Sequence, residues 1–129
     1  MNKVMPKITK DLGFDFWWDT QKLWKIDLPI EEMEISELSW MFKLPFWDKV
    51  DKQISLKPID VKQNPSKYKE QWDRTMQTDL SYPVSVIYLK NRWVIMDGLH
   101  RLLKASILGN KTVKVKKVYR KHIPLIEQK

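Results

Sequence analysis

Residues 84–101 read VSVIYLKNRWVIMDGLHR, and the pattern of this stretch decides the fold. Val84 to Leu89 and Trp93 to Met96 are dense in β-branched and aromatic side chains, and the polar Lys90-Asn-Arg92 between them has the length of a hairpin turn. Two paired strands are expected. Directly after them Leu99, Leu102, Leu103 and Ile107 recur at helical spacing and stop at Gly109, which suits the left-handed position past a helix end. A last strand, Val113 to Tyr119, alternates Val113 and Val115 inward with Lys114 and Lys116 outward.

Working back toward the N-terminus, Leu56 to Val61 reads as a single helical turn opened by Pro58. Asn64 and Pro65 then supply an N-cap and first residue for a longer helix over 66–78, whose stripe Tyr68, Trp72 and Met76 is assigned to the core. Met33 and Ile35 alternate with Glu32, Glu34 and Ser36, which predicts a short first strand near Met33 to Leu38. Trp40 to Trp47 is an aromatic loop around Pro45. In residues 1–28, Asp15 or Asp19 caps a short helix that carries Trp17 and Trp24 on one face, and Pro29 ends it. The expected architecture is α+β: a mixed sheet with helices packed on it, behind an aromatic-rich N-terminal extension (1–30). A single domain over 1–129, with its recognisable core at 54–119, accommodates all of this.

Composition narrows the chemistry. A hydrophobic content of 43% belongs to a globular chain, and the lack of cysteine removes disulfides, thiolate metal sites and thiol nucleophiles. No apolar run reaches the ~18 residues that span a bilayer, and the opening MNKVMPKITK lacks a signal-peptide core, so no membrane role and a cytoplasmic location are expected. Charge is uneven. From Leu99 onward nine Lys or Arg face Glu127 alone, whereas residues 1–98 balance 15 basic against 15 acidic groups. A basic third beside a neutral remainder suits an anionic partner, either nucleotide phosphate or nucleic acid; a lysine-rich solvated edge strand and tail would look the same.

The segment Asp97-Gly-Leu-His-Arg101 joins the hairpin to the following helix. Gly98 permits backbone angles and close approaches that a Cβ would forbid, and the first turn of a helix offers unpaired N–H groups and partial positive charge to an anion. Arg101 carries a planar fork for phosphate oxygens, Lys104 lies one turn further on, and His100 can donate to phosphate or move a proton. Asp97 can hold magnesium, orient His100 or accept a hydroxyl proton. Asp97 and His100 are thus the catalytic candidates. Gly98, Leu99, His100, Arg101 and Lys104 are the phosphate-binding ones. A plainer reading has Asp97 capping the helix and His100 and Arg101 on its solvated face.

Pro83-Val-Ser-Val86, the run Trp93 to Arg101, Ala105, Gly109 and Val113-Lys-Val115 together resemble the core of the ParB/sulfiredoxin superfamily. That resemblance implies a small α+β fold whose turn, Gly-x-His-Arg or Asp-Gly-x-x-Arg in the family and Asp-Gly-x-His-Arg here, binds the phosphates of ATP, ADP or CTP, often with magnesium; by position Gly98, His100 and Arg101 inherit the phosphate and Asp97 the metal. Leu99 stands where sulfiredoxins carry cysteine, so sulfinic acid reduction is excluded. Partition proteins carry a Gly-Glu-Arg-Arg pattern and a helix-turn-helix domain, neither of which follows here. The nearest turn chemistry is that of the free serine kinases, whose Asp-Gly-His-Thr-Arg turn also begins with an acid; Glu32, Glu34 and Glu37 cannot be matched to their glutamate base.

Three functions follow as expectations. The first is an ATP- or ADP-dependent small-molecule kinase or nucleotidase. The second is a ParB-like nuclease or accessory protein that meets DNA or RNA through Lys111, Lys114, Lys116, Lys117, Arg120 and Lys121. The third is a nucleotide-sensing module without turnover. Trp40, Phe42, Phe46 and Trp47 could stack a base or simply pack. His122, 22 residues from His100, is read as solvated rather than as a metal ligand.

Overall fold

A computed structural model describes residues 7–48 and 54–128. Met1 to Pro6 and Lys129, which the sequence reading assigned to the N-terminal extension and the basic third, lie outside the described residues. The chain forms a small α+β domain built on a four-stranded mixed sheet.

The hairpin is its centre. Strand β4 (Val84–Leu89) runs antiparallel to β5 (Arg92–Asp97), and Lys90 and Asn91 between them both take positive φ, 50° and 64°, as the tightest two-residue hairpin turns require. The ladder slips near its far end. Ser85 faces Asp97 while Val86 faces Ile95, so Met96 is an extra residue on β5. A bulge there bends the strand just before the turn and re-aims Asp97.

Helix α5 (Leu99–Ile107) buries Leu102, Leu103 and Ala105, and Gly109 follows at φ 79° as its spacing foretold. Strand β6 (Thr112–Val118) returns parallel to β4, and β1 (Ile30–Glu34) pairs antiparallel with β6, giving the order β1-β6-β4-β5. The lysine-rich strand is therefore internal, not an edge. Its exposed side lies beside an acidic strand, with Lys114 opposite Glu32 and Lys117 Nζ 3.6 Å from Glu31 Oε1. Buried Val84, Val86 and Ile87 show that β4 is covered on both faces, the usual condition of a central strand with a parallel neighbour.

Other boundaries move for physical reasons. The first strand is Ile30–Glu34, after which two 3₁₀ turns (Ile35–Glu37 and Ser39–Lys43) bury Ile35, Met41 and Phe42. Helix α1 spans Lys7–Asp11; α2 is Thr20–Lys25, capped by Asp19 accepting from the Lys22 N–H, so Trp17 falls outside the helix that carries Trp24. A short pair, β2 (Trp47–Asp48) and β3 (Ile54–Leu56), forms a second sheet. Helix α3 (Pro58–Gln63) matches the turn expected at Pro58. It extends to make Asn64 its C-cap, which denies Asn64 the N-cap role assigned to it; α4 begins at Lys69 and ends at Met76. Tyr68, Trp72 and Met76 are only half-buried, and the buried residue of α4 is Thr75, whose hydroxyl bonds the Gln71 carbonyl at 2.8 Å.

The N-terminal segment closes on the C-terminal one. Trp18 bridges Glu127, the Asp19 N–H donates to the Ile126 carbonyl at 2.8 Å, and Leu23 is fully buried beside the short helix α6 (Ile123–Ile126). Among the described residues no helix is long and apolar enough to cross a membrane.

Candidate functional site

The turn takes its shape from Gly98, at φ 107° and ψ 23°. A Cβ there would lie 2.9 Å from Arg101 Nη2 and 3.2 Å from Val84 Cα, so both the backbone angle and the close approach require glycine. No side chain caps α5, and the first intrahelical bond runs from the Leu102 N–H to the Gly98 carbonyl. The N–H groups of Leu99, His100 and Arg101 thus meet no acceptor among the described residues.

Gly98, Leu99 and His100 line a cavity of about 330 Å³, together with Phe14, Trp18, Phe46 and Asp97 among others. His100 also reaches α4. Its Nε2–H donates to Gln71 Oε1 at 2.8 Å, and its ring stacks on Trp47 with centroids 4.4 Å apart and planes 14° from parallel. Burial, together with the nearby Arg74 charge, lowers its pKa to about 4, so the ring is neutral at pH 7.

Arg101 folds the other way. Its Nη2 donates to Asp97 Oδ2 and to the Pro83 carbonyl, both at 3.1 Å, while Nε is buried without a partner. Asp97 Oδ2 also accepts from Trp24 Nε1 at 2.8 Å. Asp97 and Arg101 therefore form a half-buried ion pair that an indole from α2 completes. Lys104 sends its ammonium to the Thr78 carbonyl at 2.7 Å, which secures the end of α4 against α5.

The turn thus brings together Asp97, Gly98, Leu99 and Arg101, and it separates His100 from Asp97 and Lys104 from both. The residues fit a phosphate: free N–H groups at a helix start, with the cationic Arg74 near His100. Asp97 is the acid of the turn that would hold magnesium, but its Oδ2 already accepts from Arg101 and Trp24, and among the described residues no three His, Cys, Asp or Glu gather to hold a metal.

The proposed basic surface is divided. Lys116 Nζ donates to the Trp24 and Ile26 carbonyls at 3.0 and 3.1 Å, Lys117 pairs with Glu31, and Arg120 Nη1 lies 3.4 Å from Asp15 Oδ1. Lys111, Lys114 and Lys121 remain exposed. The aromatic segment is divided too: Trp47 stacks on His100, Phe46 lines the small cavity, and Trp40 lies under Arg92 at 3.8 Å. His122 Nδ1 accepts from the Tyr119 N–H at 3.0 Å.

Trp24, Gln71 and Arg74 were not singled out for this site by the sequence. Trp24 lies 73 positions from Asp97 and Gln71 29 from His100, and neither pairing leaves a local signature.

No protein family matches this chain, and no curated protein matches it. Among solved structures, sulfiredoxin from Arabidopsis thaliana is similar to it at 19% identity and a TM-score of 0.39, over 74% of this chain and 93% of that one.

Proposed function

We propose that this chain is a nucleotide-phosphate-binding protein that holds ATP, ADP or CTP at the Asp97–Arg101 turn without turning it over. The observation that carries the reading is the uncapped start of α5 behind Gly98, which opens onto the 330 Å³ cavity. Such an end binds anions through backbone donors and the helix dipole, and Arg74 adds charge nearby.

The absence of turnover rests on the two acid–base candidates. A general base is best poised near neutral pH, but His100 is a weak base with a pKa of about 4 and already bonds Gln71. Asp97 is committed to Arg101 and Trp24. Kinase and nucleotidase activity therefore rank below binding. The nucleic-acid reading ranks lower again, since Lys116, Lys117 and Arg120 already have protein partners.

Isothermal titration with ATP, ADP and CTP, with and without magnesium, tests the binding. At least one nucleotide should bind saturably, about tenfold more weakly in Arg74→Ala. The reading fails if none binds. Phosphate release above the protein-free rate would overturn the second half of the proposal.

A further inference from the structure

The other flank of the turn opens on a second cavity, of about 590 Å³, bounded by Trp24, Ile30, Tyr82, Ser85, Arg101 and Lys116. Its volume falls within the range of small-molecule sites. Three of its walls are large apolar residues left in water: Trp24 is 59% exposed, Ile30 56% and Tyr82 64%. Single exposed apolar side chains are ordinary, but three around one concavity form a patch that a ligand can cover.

The polar part of the lining has donors to spare. Ser85 is 3% exposed overall and lines the cavity. Among the described residues the buried side-chain polar atom without a partner is Arg101 Nε, and such a donor is costly to leave unpaired. Lys116 gives two of its three N–H groups to the Trp24 and Ile26 carbonyls, which fixes the ammonium at the cavity and leaves one donor. Arg101 commits Nη2 to protein acceptors, with no protein acceptor for its remaining donors.

Charge decides the kind of anion. Arg101 and Lys116 are two cations, Asp97 offsets one of them through the 3.1 Å ion pair, and a single positive charge remains. A monoanion balances it; a phosphate dianion would not, and an amino acid would bring an ammonium group of the wrong sign. Flat apolar walls and one residual charge together describe the ligand.

We propose that this cavity binds an aromatic monocarboxylate, whose ring lies against Trp24 and Tyr82 and whose carboxylate meets Lys116, Ser85 and Arg101. The site stands apart from the nucleotide reading, because it uses the opposite flank of the turn. The two meet at Asp97, which lines the first cavity and accepts from Trp24 and Arg101 of the second.

Protein labelled with ¹⁵N at tryptophan gives a direct readout, with the Trp24 indole N–H signal assigned by its loss in Trp24→Phe. Indole-3-acetate should shift that signal saturably. Indole-3-acetamide, the same ring without the charge, should bind about tenfold more weakly. Lys116→Gln should weaken the acid and spare the amide, whereas Tyr82→Ser should weaken both; thermal unfolding shows that each variant is folded. No saturable shift, equal affinity for acid and amide, or an unchanged Tyr82→Ser variant would each overturn the proposal. Adenosine monophosphate binding here more tightly than indole-3-acetate would overturn it as well, in favour of a phosphate site.

Discussion

On one flank of the Asp97–Arg101 turn charge is kept, and on the other it is removed. Asp97 and Arg101 neutralise one another in a half-buried pair, with an indole N–H on the same carboxylate oxygen. His100, two residues from Gly98, lies between Trp47 and Gln71, where burial favours the uncharged ring. The same five residues thus give an ionic face and a neutral face. Gly98 separates them, because its backbone turns the strand end away from the helix start.

Breaking that separation should have the largest effect. Gly98→Ala combines a left-handed φ with a Cβ 3.2 Å from the Val84 backbone and 2.9 Å from Arg101 Nη2. A loss of about 2–3 kcal/mol is expected in denaturant unfolding. Gly109→Ala is the control. Gly109 has φ 79° but nothing within 4 Å of its would-be Cβ, so it should lose only about 1 kcal/mol for the backbone angle. Equal losses at the two positions would mean that close approach is not what Gly98 provides.

How much of this was legible depends on the distance between partners. The hairpin, α5, Gly109 and the inward valines of β6 could be read because each follows from neighbours a few residues apart. The Gly98 turn was visible for the same reason. Whether β6 sits inside the sheet depends on β1, some 80 residues earlier in the chain, and strand order leaves no local trace. Asn64 misled because a polar residue before proline signals an N-cap, while the preceding helix simply continued to it. The environments of Asp97 and His100 were invisible for a further reason. Both are set by residues 24, 47 and 71, whose types would suit ordinary packing equally well.

The neutral flank predicts a pH dependence with a definite sign. The folded-state pKa of His100 is about 4, below its ordinary 6.5, so between those values the unfolded chain binds the proton that the folded one refuses. Stability therefore falls as pH drops from 6.5 toward 4, and this contribution is constant below that window. With a discount for the solvent that reaches the ring, the loss is about 1–2 kcal/mol. His100→Phe keeps a ring against Trp47 without a titrating group. Unfolding at pH 7, 5.5 and 4.5 should show a shallower decline in this variant, and parallel declines would place the His100 ring in water.

The charged flank should respond least, and its response is the more informative for being small. Trp24 donates to a carboxylate, which strengthens the bond, but the indole is 59% exposed and water can replace it. Trp24→Phe should cost about 0.5–1 kcal/mol. The same change made in Asp97→Asn should cost less, since the charge that strengthened the bond has gone. A double-mutant cycle isolates that difference from the other effects of each substitution. A coupling near zero would mean that α2 rests on the turn by contact alone, and that the Asp97–Arg101 pair is complete without it. A coupling of about 0.5 kcal/mol or more would make the N-terminal segment part of the ionic face, 73 positions along the chain from the carboxylate it serves.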